Sequence, residues 1–318
     1  MPAHSPTIEV EVLPGVAQVE RWEGPCASSS KPFDLLIEVP HGADQRSHYE
    51  ALRRRLVGEL PEDLHEFFHA NTDIGAWQYG CATASLLMAR RPHLKIWLIR
   101  SLIPRTFIDC NRFEDTKEGG GITAGIQPYI DHPEDRNLLI KLHRSYIALV
   151  DEAYEKVMEG GGVAFIPHTY GPYELPISSV GRDIVEQLRE AHRPERRNRL
   201  PVRPEIDLLT RQADGARIVE DQLVEALREK LEQAGFNVTE SAVYRLVPGT
   251  QAWKHASRFP GRVLCLEVRR DLLVESYEAL APMRISWEGV LRVARPLADV
   301  IGGWLDGRGA ISAPMAAA

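Results

Sequence analysis

Two histidines stand at the same kind of position, directly after a run of strand-forming residues and a proline. His41 ends the sequence VPH, and His168 ends the sequence IPH. In open α/β sheets, ligands bind beyond the carboxyl ends of the strands, so both imidazoles can point into one crevice. A neutral imidazole is the commonest zinc ligand, and a catalytic zinc site needs three protein ligands and a position open to water. The two histidines therefore predict two ligands of a site for one Zn²⁺ ion per chain.

The third ligand has two candidates among the acidic residues. Asp73 follows an Asn-Thr pair at the start of a predicted helix, and Asp44 lies in the turn just after His41. An acid that begins a helix is commonly a capping or first-turn residue, and an acid in a loop is commonly solvated. The residues themselves leave both candidates open.

The segment 104–113, PRTFIDCNRF, brings two guanidinium groups close to a side-chain amide. Arg105, Asn111 and Arg112 flank an apolar run that is predicted to be a strand at 106–110. Arginine binds carboxylates through a planar fork that lysine cannot copy. These three residues predict a site for an anionic substrate, and Tyr170 is a further candidate for the wall of the same pocket. The ordinary alternative for the arginines is a pair of surface salt bridges.

Glu267 is an acid in the middle of the apolar run RVLCLEVRR. Burying a carboxylate is costly unless it is paired or functional. Beside a metal-activated water, such a residue is a candidate general base. An ion pair with Arg269 or Arg270 is the alternative, although neighbours along a strand point to opposite faces.

The sequence HEFFH at 65–69 is a literal HExxH motif. On a helix this motif gives two zinc ligands on one face and a general base between them. Pro61 places the motif at the very beginning of a helix, and the Asn-Thr pair at 71–72 resembles the cap of the next one. A zincin-type metalloprotease on this short helix is therefore the second hypothesis.

The composition bounds the class of protein. The 318 residues are 44% hydrophobic and 26% charged, which is ordinary for a globular protein. The formal net charge of −7 disfavours nucleic acid and anionic membrane surfaces as partners. We expect no membrane-spanning helix, because no apolar run is long enough, and no secretory signal at the N-terminus. The four cysteines are scattered without a CxxC pair, which favours a cytoplasmic location with reduced thiols.

Alternating strand and helix signals predict an α/β fold. Strands are predicted at 33–39, 94–99, 106–110, 163–166, 236–239 and 262–268, and helices at 76–88, 138–158, 216–234 and within 275–305. This order predicts a mixed, mostly parallel sheet with helices on both faces, formed by a single domain at 33–305. Residues 1–32 are predicted to be a loosely attached leader with a hairpin and a linker, and residues 306–318 a disordered tail. A glycine-rich loop is predicted at 118–125.

The collinear series of motifs resembles the N-formylglutamate amidohydrolase family. That family carries a strand-end VPH, a Thr-Asp that opens a helix, an Arg before a D-x-N-R sequence, a later strand-end His, and a late-strand Glu followed by an Arg. The matching residues are His41, Thr72 with Asp73, Arg105, the sequence DCNR at 109–112, His168, and Glu267 with Arg269 or Arg270. The resemblance covers about residues 33 to 275.

The family is similar to zinc carboxypeptidases and aspartoacylases, which implies a phosphorylase/hydrolase-like fold of the zinc exopeptidase kind. In those relatives the metal ligands are a His-x-x-Glu/Asp pair and a later His, a pattern that favours Asp44 as the third ligand here. The Thr-Asp sequence of the N-formylglutamate amidohydrolase family favours Asp73. Of the two we favour Asp73.

The resemblance further implies a zinc-dependent amidohydrolase that cleaves an N-acyl acidic amino acid or a small carboxylate-bearing peptide. Glu267 is then the base, and Arg105, with Asn111 and Arg112, binds the carboxylate or stabilises the oxyanion. A binding protein that kept this fold and lost catalysis is the third hypothesis.

Overall fold

The structure of the protein is a computed structural model that describes residues 5–117 and 123–311. Most of the predicted glycine-rich loop and the last seven residues of the predicted tail (118–122 and 312–318) lie outside the described residues. The strands are β1 (Thr7–Leu13), β2 (Ala17–Glu23), β3 (Leu35–Val39), β4 (Lys95–Ser101), β5 (Val163–Tyr170), β6 (Ile206–Leu209), β7 (Val238–Glu240) and β8 (Val263–Arg269). In the described part of the chain they form one eight-stranded sheet in the order β1-β2-β4-β3-β5-β8-β6-β7.

Helices cover both faces of this sheet, as the sequence predicts. They are α1 (Arg46–Arg53), α2 (Leu64–Asn71), α3 (Ala76–Arg90), α4 (Pro133–Glu159), α5 (Ile184–Ala191), α6 (Pro194–Arg197), α7 (Asp221–Gln233), α8 (Gln251–Arg258) and α9 (Trp287–Ile311), with a short 3₁₀ turn at Arg270–Leu272. Helices α1, α2, α4, α5 and α8 contribute to an apolar core on one face, and α3, α7 and α9 contribute to a second core on the other. Because both faces are covered, the central strands β3, β4, β5 and β8 are buried along almost their whole length, and their apolar residues do not alternate with exposed ones.

The centre of the sheet is parallel and the flanks are mixed. Strand β3 pairs in parallel with β4 and β5, and β5 pairs in parallel with β8. Strands β2 and β6 join this centre in antiparallel fashion. The predicted mixed, mostly parallel sheet is confirmed. None of the helices in the described residues is long and apolar enough to cross a membrane.

The N-terminal hairpin is part of the sheet, so the prediction of a loosely attached leader is wrong for this segment. Strand β2 pairs with β4 along its whole length, from Ala17 opposite Ser101 to Glu23 opposite Lys95. Its inward residue Val19 is fully buried. The Pro-Gly turn makes the hairpin recognisable in the sequence. The strand that β2 pairs with, β4, lies more than 70 residues further along the chain, so the residues around the hairpin do not indicate this pairing.

The other end of the chain also differs from the prediction. Helix α9 continues through Ile311, so the segment 306–311 is helical rather than disordered. Asp306 lies within this helix and pairs with Arg91, with 2.7 Å between carboxylate and guanidinium. This ion pair links α9 to the end of α3.

The segment 106–110 is a turn rather than the predicted strand. The amide of Phe107 donates to the carbonyl of Pro104 over 3.0 Å, and Ile108 forms only an isolated bridge with Ile126. The side chains of Phe107, Ile108 and Cys110 are fully buried. Their burial explains the strand-like apolar pattern, because periodicity reports burial and not backbone geometry.

Strand β6 has no counterpart among the sequence predictions. It has only four residues, IDLL, and follows the Pro204 of a polar stretch. It lies between β8 and β7 and is fully buried. A strand this short gives too little periodicity to be recognised from sequence.

Candidate metal centre and active site

Three adjacent elements of the fold deliver the candidate ligands to one place. His41 follows the end of β3, and His168 lies near the end of the neighbouring strand β5. Asp73 lies between α2 and α3, where Gly75, with a φ of 89°, allows the chain to turn into α3. A side chain at residue 75 would also meet Leu273 at 2.8 Å. Glycine is therefore needed there for conformation and for space.

The structure brings His41, Asp73 and His168 together. The Nδ1 atoms of His41 and His168 lie 3.1 Å and 2.9 Å from the same Oδ2 atom of Asp73. One ligand atom from each residue lies within 4.8 Å of the other two, and all three side chains are buried. Among the described residues this is the one group of three or more potential metal ligands at such distances.

The alternative ligand Asp44 points elsewhere. Its Oδ2 accepts a hydrogen bond of 3.2 Å from the Nε2 of Gln78, and its Oδ1 lies 3.7 Å from the guanidinium of Arg100. Asp44 does not belong to the group that contains the two histidines. The geometry therefore favours Asp73 as the carboxylate partner of His41 and His168.

The three residues fit a metal ion by their chemistry. Two imidazole nitrogens and one carboxylate oxygen are a donor set of catalytic zinc sites, which keep a further position open. The Nε2 atom of His168 and the Oδ1 atom of Asp73 are buried without a hydrogen-bond partner, an arrangement that native proteins normally avoid. Burial opposes ionisation of Asp73, but His41 and His168 hold its pKa well below the usual value. Asp73 is thus kept as a carboxylate, the form that a metal requires.

Asp109 lies behind the candidate metal ligands. Its Oδ1 is 2.7 Å from the Nε2 of His41, so the imidazole is held between two carboxylates. Asp109 also accepts hydrogen bonds from the Nε of Arg105 and from the amide of Asn111, over 2.9 Å and 2.8 Å. Burial opposes its ionisation, yet Arg105 and His41 hold the pKa of Asp109 well below its usual value. A carboxylate in this position fixes the tautomer and orientation of a ligating histidine.

Replacing Asp109 by asparagine is expected to weaken zinc binding by about tenfold to a hundredfold, because the neutral amide orients His41 without adding negative charge. Competition with a chromophoric chelator measures the affinity. Asp135→Asn is the matched control, since Asp135 is also a buried aspartate that accepts two hydrogen bonds, and it does not line the cavity. Equal affinities of Asp109→Asn and the wild type would contradict the role assigned to Asp109.

Glu267 faces the same site from the neighbouring strand. It lies directly opposite His168 in the β5–β8 register, and it is 9% exposed. Its Oε2 atom is buried without a hydrogen-bond partner. Burial raises the pKa of Glu267 to about 7, an effect that His168 opposes and Asp73 reinforces. A carboxyl group in this condition is suited to exchange protons near neutral pH.

The predicted substrate-binding residues line one cavity of about 580 Å³ with His41, His168 and Glu267. These residues are Arg105, Asn111, Arg112 and Tyr170. The Nε of Arg112 is buried without a partner, and burial lowers the pKa of this side chain. Burial opposes the charge of Arg105 as well, but Asp109 and Asp73 raise its pKa above the usual value. The cavity thus combines a possible metal centre with permanent positive charge.

Two further arginines, Arg270 and Arg203, belong to the site; the sequence offers Arg270 only as an alternative to Arg269 and does not indicate Arg203. Arg270 faces the site, because its guanidinium lies 3.7 Å from the Oδ1 of Asp73 and donates a hydrogen bond to the hydroxyl of Thr169. Its neighbour Arg269 instead forms an ion pair with Asp271. Arg203 lies in the cavity wall with its guanidinium over the ring of Tyr170, 5.4 Å from the centroid. The Glu-Val-Arg-Arg sequence at the end of β8 does not show which of Arg269 and Arg270 faces the site. The segment around residue 203 contains no recognisable motif.

The HExxH sequence does not build a metal site. Its residues lie on α2 as expected, but Glu66 forms a surface ion pair with Arg189, over 2.7 Å. His69 is buried beside Phe68, whose ring centroid is 5.2 Å away. Within the described residues, neither His65 nor His69 belongs to a group of three potential ligands. The geometry therefore gives no support to the zincin hypothesis.

Comparison with solved protein structures identifies the fold. No protein-family model matches the chain, and no curated protein matches its sequence. The solved structure of an N-formylglutamate amidohydrolase from Ralstonia eutropha JMP134 is similar, with a TM-score of 0.56 and 18% identity over 92% of this chain and 99% of that chain. A gene product of Agrobacterium tumefaciens matches with a TM-score of 0.52 and 19% identity, over 92% of this chain and 95% of that chain.

This protein therefore has an α/β fold of the kind seen in N-formylglutamate amidohydrolase. The resemblance that the motifs predict is confirmed at the level of the fold.

Proposed function

We propose that this protein is a zinc-dependent amidohydrolase that cleaves the amide bond of an N-acyl acidic amino acid or of a small peptide with a free carboxylate. The observation that carries this proposal is the convergence of two histidine Nδ1 atoms on one buried aspartate oxygen, in a cavity that also contains Glu267. His41, Asp73 and His168 would hold the zinc ion. Bound there, zinc would polarise the amide carbonyl and lower the pKa of a water molecule.

Glu267 performs the proton transfers in this mechanism. Its carboxylate takes a proton from the attacking water, and the resulting carboxyl group gives the proton to the leaving nitrogen. The raised pKa of about 7 supports both steps, since the group must accept and then release a proton. The apolar core residues beside Glu267, including Cys265 on the same strand, exclude bulk water from its buried oxygen.

The arginines bind and orient the substrate. Arg112 and Arg105 flank Asn111 in the cavity wall, where two forked guanidinium groups and one amide can hold a carboxylate. The hydrogen bond from Arg105 to Asp109 keeps that guanidinium beside the candidate metal ligands, where it also stabilises the developing oxyanion. Arg203, held over Tyr170, offers a further positive charge for an acidic side chain. We propose a small anionic molecule or peptide as substrate and neither nucleic acid nor a membrane as partner.

Assays of N-formylglutamate, N-acetylglutamate and short peptides with the purified protein test this function. We expect release of free amine from at least one of the N-acyl amino acids, loss of that activity after dialysis against a chelator, and recovery with added zinc. Hydrolysis that survives complete removal of the metal would contradict the proposal, and so would failure of zinc-loaded protein to cleave any member of the set.

A further inference from the structure

One side of the cavity is apolar, in contrast to the side that carries the arginines. We call this surface the apolar wall. It consists of Phe67, Leu175, Ile177, Val180, Ile184 and Leu188. The wall comes from α2, α5 and the segment between β5 and α5, whereas Arg105, Asn111 and Arg112 come from the turn after β4. The two sides of the cavity are therefore built by different parts of the chain.

The segment 173–178 presents its apolar side chains to the cavity by strict alternation. Leu175 and Ile177 are partly buried, and Glu174, Pro176 and Ser178 between and beside them are exposed. Odd-numbered residues thus face inward and even-numbered residues face solvent, as in an extended chain with one buried face. Because the pattern persists over the segment, the apolar lining is a regular feature of the wall.

Helix α5 completes the wall with two residues that lie one turn apart. Ile184 and Leu188 are 2% and 4% exposed, and both line the cavity. Arg189, the residue after Leu188, directs its guanidinium to Asp63 and Glu66 at the start of α2. These ion pairs hold α5 against α2, so the wall has a defined position relative to Asp73, the candidate metal ligand that follows α2.

The apolar wall is larger than a formyl group, with its single carbon atom, can cover. The whole cavity, at about 580 Å³, lies within the range of roughly 300–1,000 Å³ that binds drug-sized ligands. An amide substrate has an acyl side and an amine side. Because the arginines take the carboxylate on the amine side, the apolar wall is left for the acyl side. The exposed parts of Leu175 and Ile177 lose contact with water when an apolar group covers them.

We propose, on the basis of the amidohydrolase function above, that the acyl group of the substrate is an apolar chain of several carbons that lies along the apolar wall. The substrate class is then an N-acylated acidic amino acid with a hydrophobic acyl chain, rather than the N-formyl compound. Hydrolysis releases a medium-chain carboxylic acid and the free amino acid.

Binding to a hydrolysis-deficient protein tests the inference independently of turnover. Zinc-loaded Glu267→Gln protein is titrated calorimetrically with N-acetyl-, N-butanoyl-, N-hexanoyl- and N-octanoylglutamate. We expect the Kd to fall by about threefold to fourfold per added methylene, the gain that burial of one methylene provides. A Kd that does not change along the series would overturn the inference.

Substitution in the wall tests the assignment of the binding surface. Ile177→Asp is expected to reduce the ratio of kcat/KM for N-hexanoylglutamate over N-acetylglutamate by at least tenfold, because a carboxylate then faces the acyl chain. Leu60→Asp is the matched control, since Leu60 is also a half-buried residue outside helices and strands that packs against the same core but does not line the cavity. Ile177→Ser and Leu60→Ser form a second, milder pair if an aspartate prevents folding.

The outcomes separate this inference from the proposed function. Equal hydrolysis of acetyl and hexanoyl substrates keeps the amidohydrolase function and overturns the apolar acyl group. Absence of hydrolysis with every N-acyl substrate overturns the proposed function, and the calorimetric series still decides whether the wall binds an apolar chain. Preference for longer amino-acid side chains at constant acyl length would assign the wall to the amine side and contradict the proposal.

Discussion

Replacing Glu267 by glutamine is expected to lower kcat by about a hundredfold to ten-thousandfold, the usual contribution of general acid–base catalysis. Glutamine has nearly the same shape but cannot take a proton from water or return it to the leaving nitrogen. Since Glu267 lies opposite His168 without being one of the three grouped ligands, the variant is expected to keep its zinc. Steady-state kinetics and metal analysis on the same preparation check both parts.

A second buried glutamate provides a closely matched control. Glu38 on β3 is 1% exposed and accepts hydrogen bonds from the hydroxyls of Tyr146 and Tyr154, each over 3.1 Å. Burial raises its pKa to about 7, the same value as for Glu267. Glu38 does not line the cavity, so Glu38→Gln is expected to retain kcat. Equal losses in the two variants would mean that the loss reflects a disturbed core, and unchanged rates in Glu267→Gln would remove Glu267 from the mechanism.

Replacing His168 by alanine is expected to reduce the zinc content from about one ion per chain to a small fraction, with loss of hydrolysis. The variant removes one nitrogen of the group and leaves Asp73 with only His41 as an imidazole partner. Mass spectrometry of the metal in the purified proteins measures the change. Because the side chain is buried, circular dichroism and thermal unfolding are recorded alongside to show that the variant remains folded.

His69→Ala is the control for this experiment. His69 is also a buried histidine with an Nε2 atom that lacks a hydrogen-bond partner, and it belongs to the HExxH sequence. The amidohydrolase proposal expects His69→Ala to keep its zinc. Zinc lost from His69→Ala and retained in His168→Ala would transfer the metal site to α2 and restore the zincin hypothesis.

The sequence is informative where a functional side chain follows a buried strand. His41 and His168 are found in this way, because an apolar run that ends in a polar residue marks both the strand and the edge of the sheet that binds ligands. Glu267 is found by a different signal, since an acid inside an apolar strand is costly unless it is functional or paired. The choice between Asp44 and Asp73 is different. It depends on the direction in which a turn aims each carboxylate, and spacing along the chain does not contain that information.

Other parts of the site depend on contacts between distant segments. The role of Asp109 follows from its 2.7 Å distance to His41, which is 68 positions earlier in the chain. The antiparallel attachment of β2 to β4 is likewise non-local, and this explains why the hairpin is visible in the sequence while its place in the sheet is not. The alternation of apolar and polar residues at 173–178 is visible in the sequence, but only the structure shows that the apolar residues line the cavity.

The register between β5 and β8 has a consequence for how such a site can change. A strand cannot slip by one residue against its partner without turning every side chain to the opposite face, so the pairing of His168 with Glu267 is locked by the whole sheet. The wall segment at 173–188 lies outside the paired strands of the sheet and contains none of the candidate metal ligands, nor Asp109 or Glu267. This segment can therefore change without moving the paired residues. Exchanging it is a route to variants with new substrate preferences around the same proposed reaction centre.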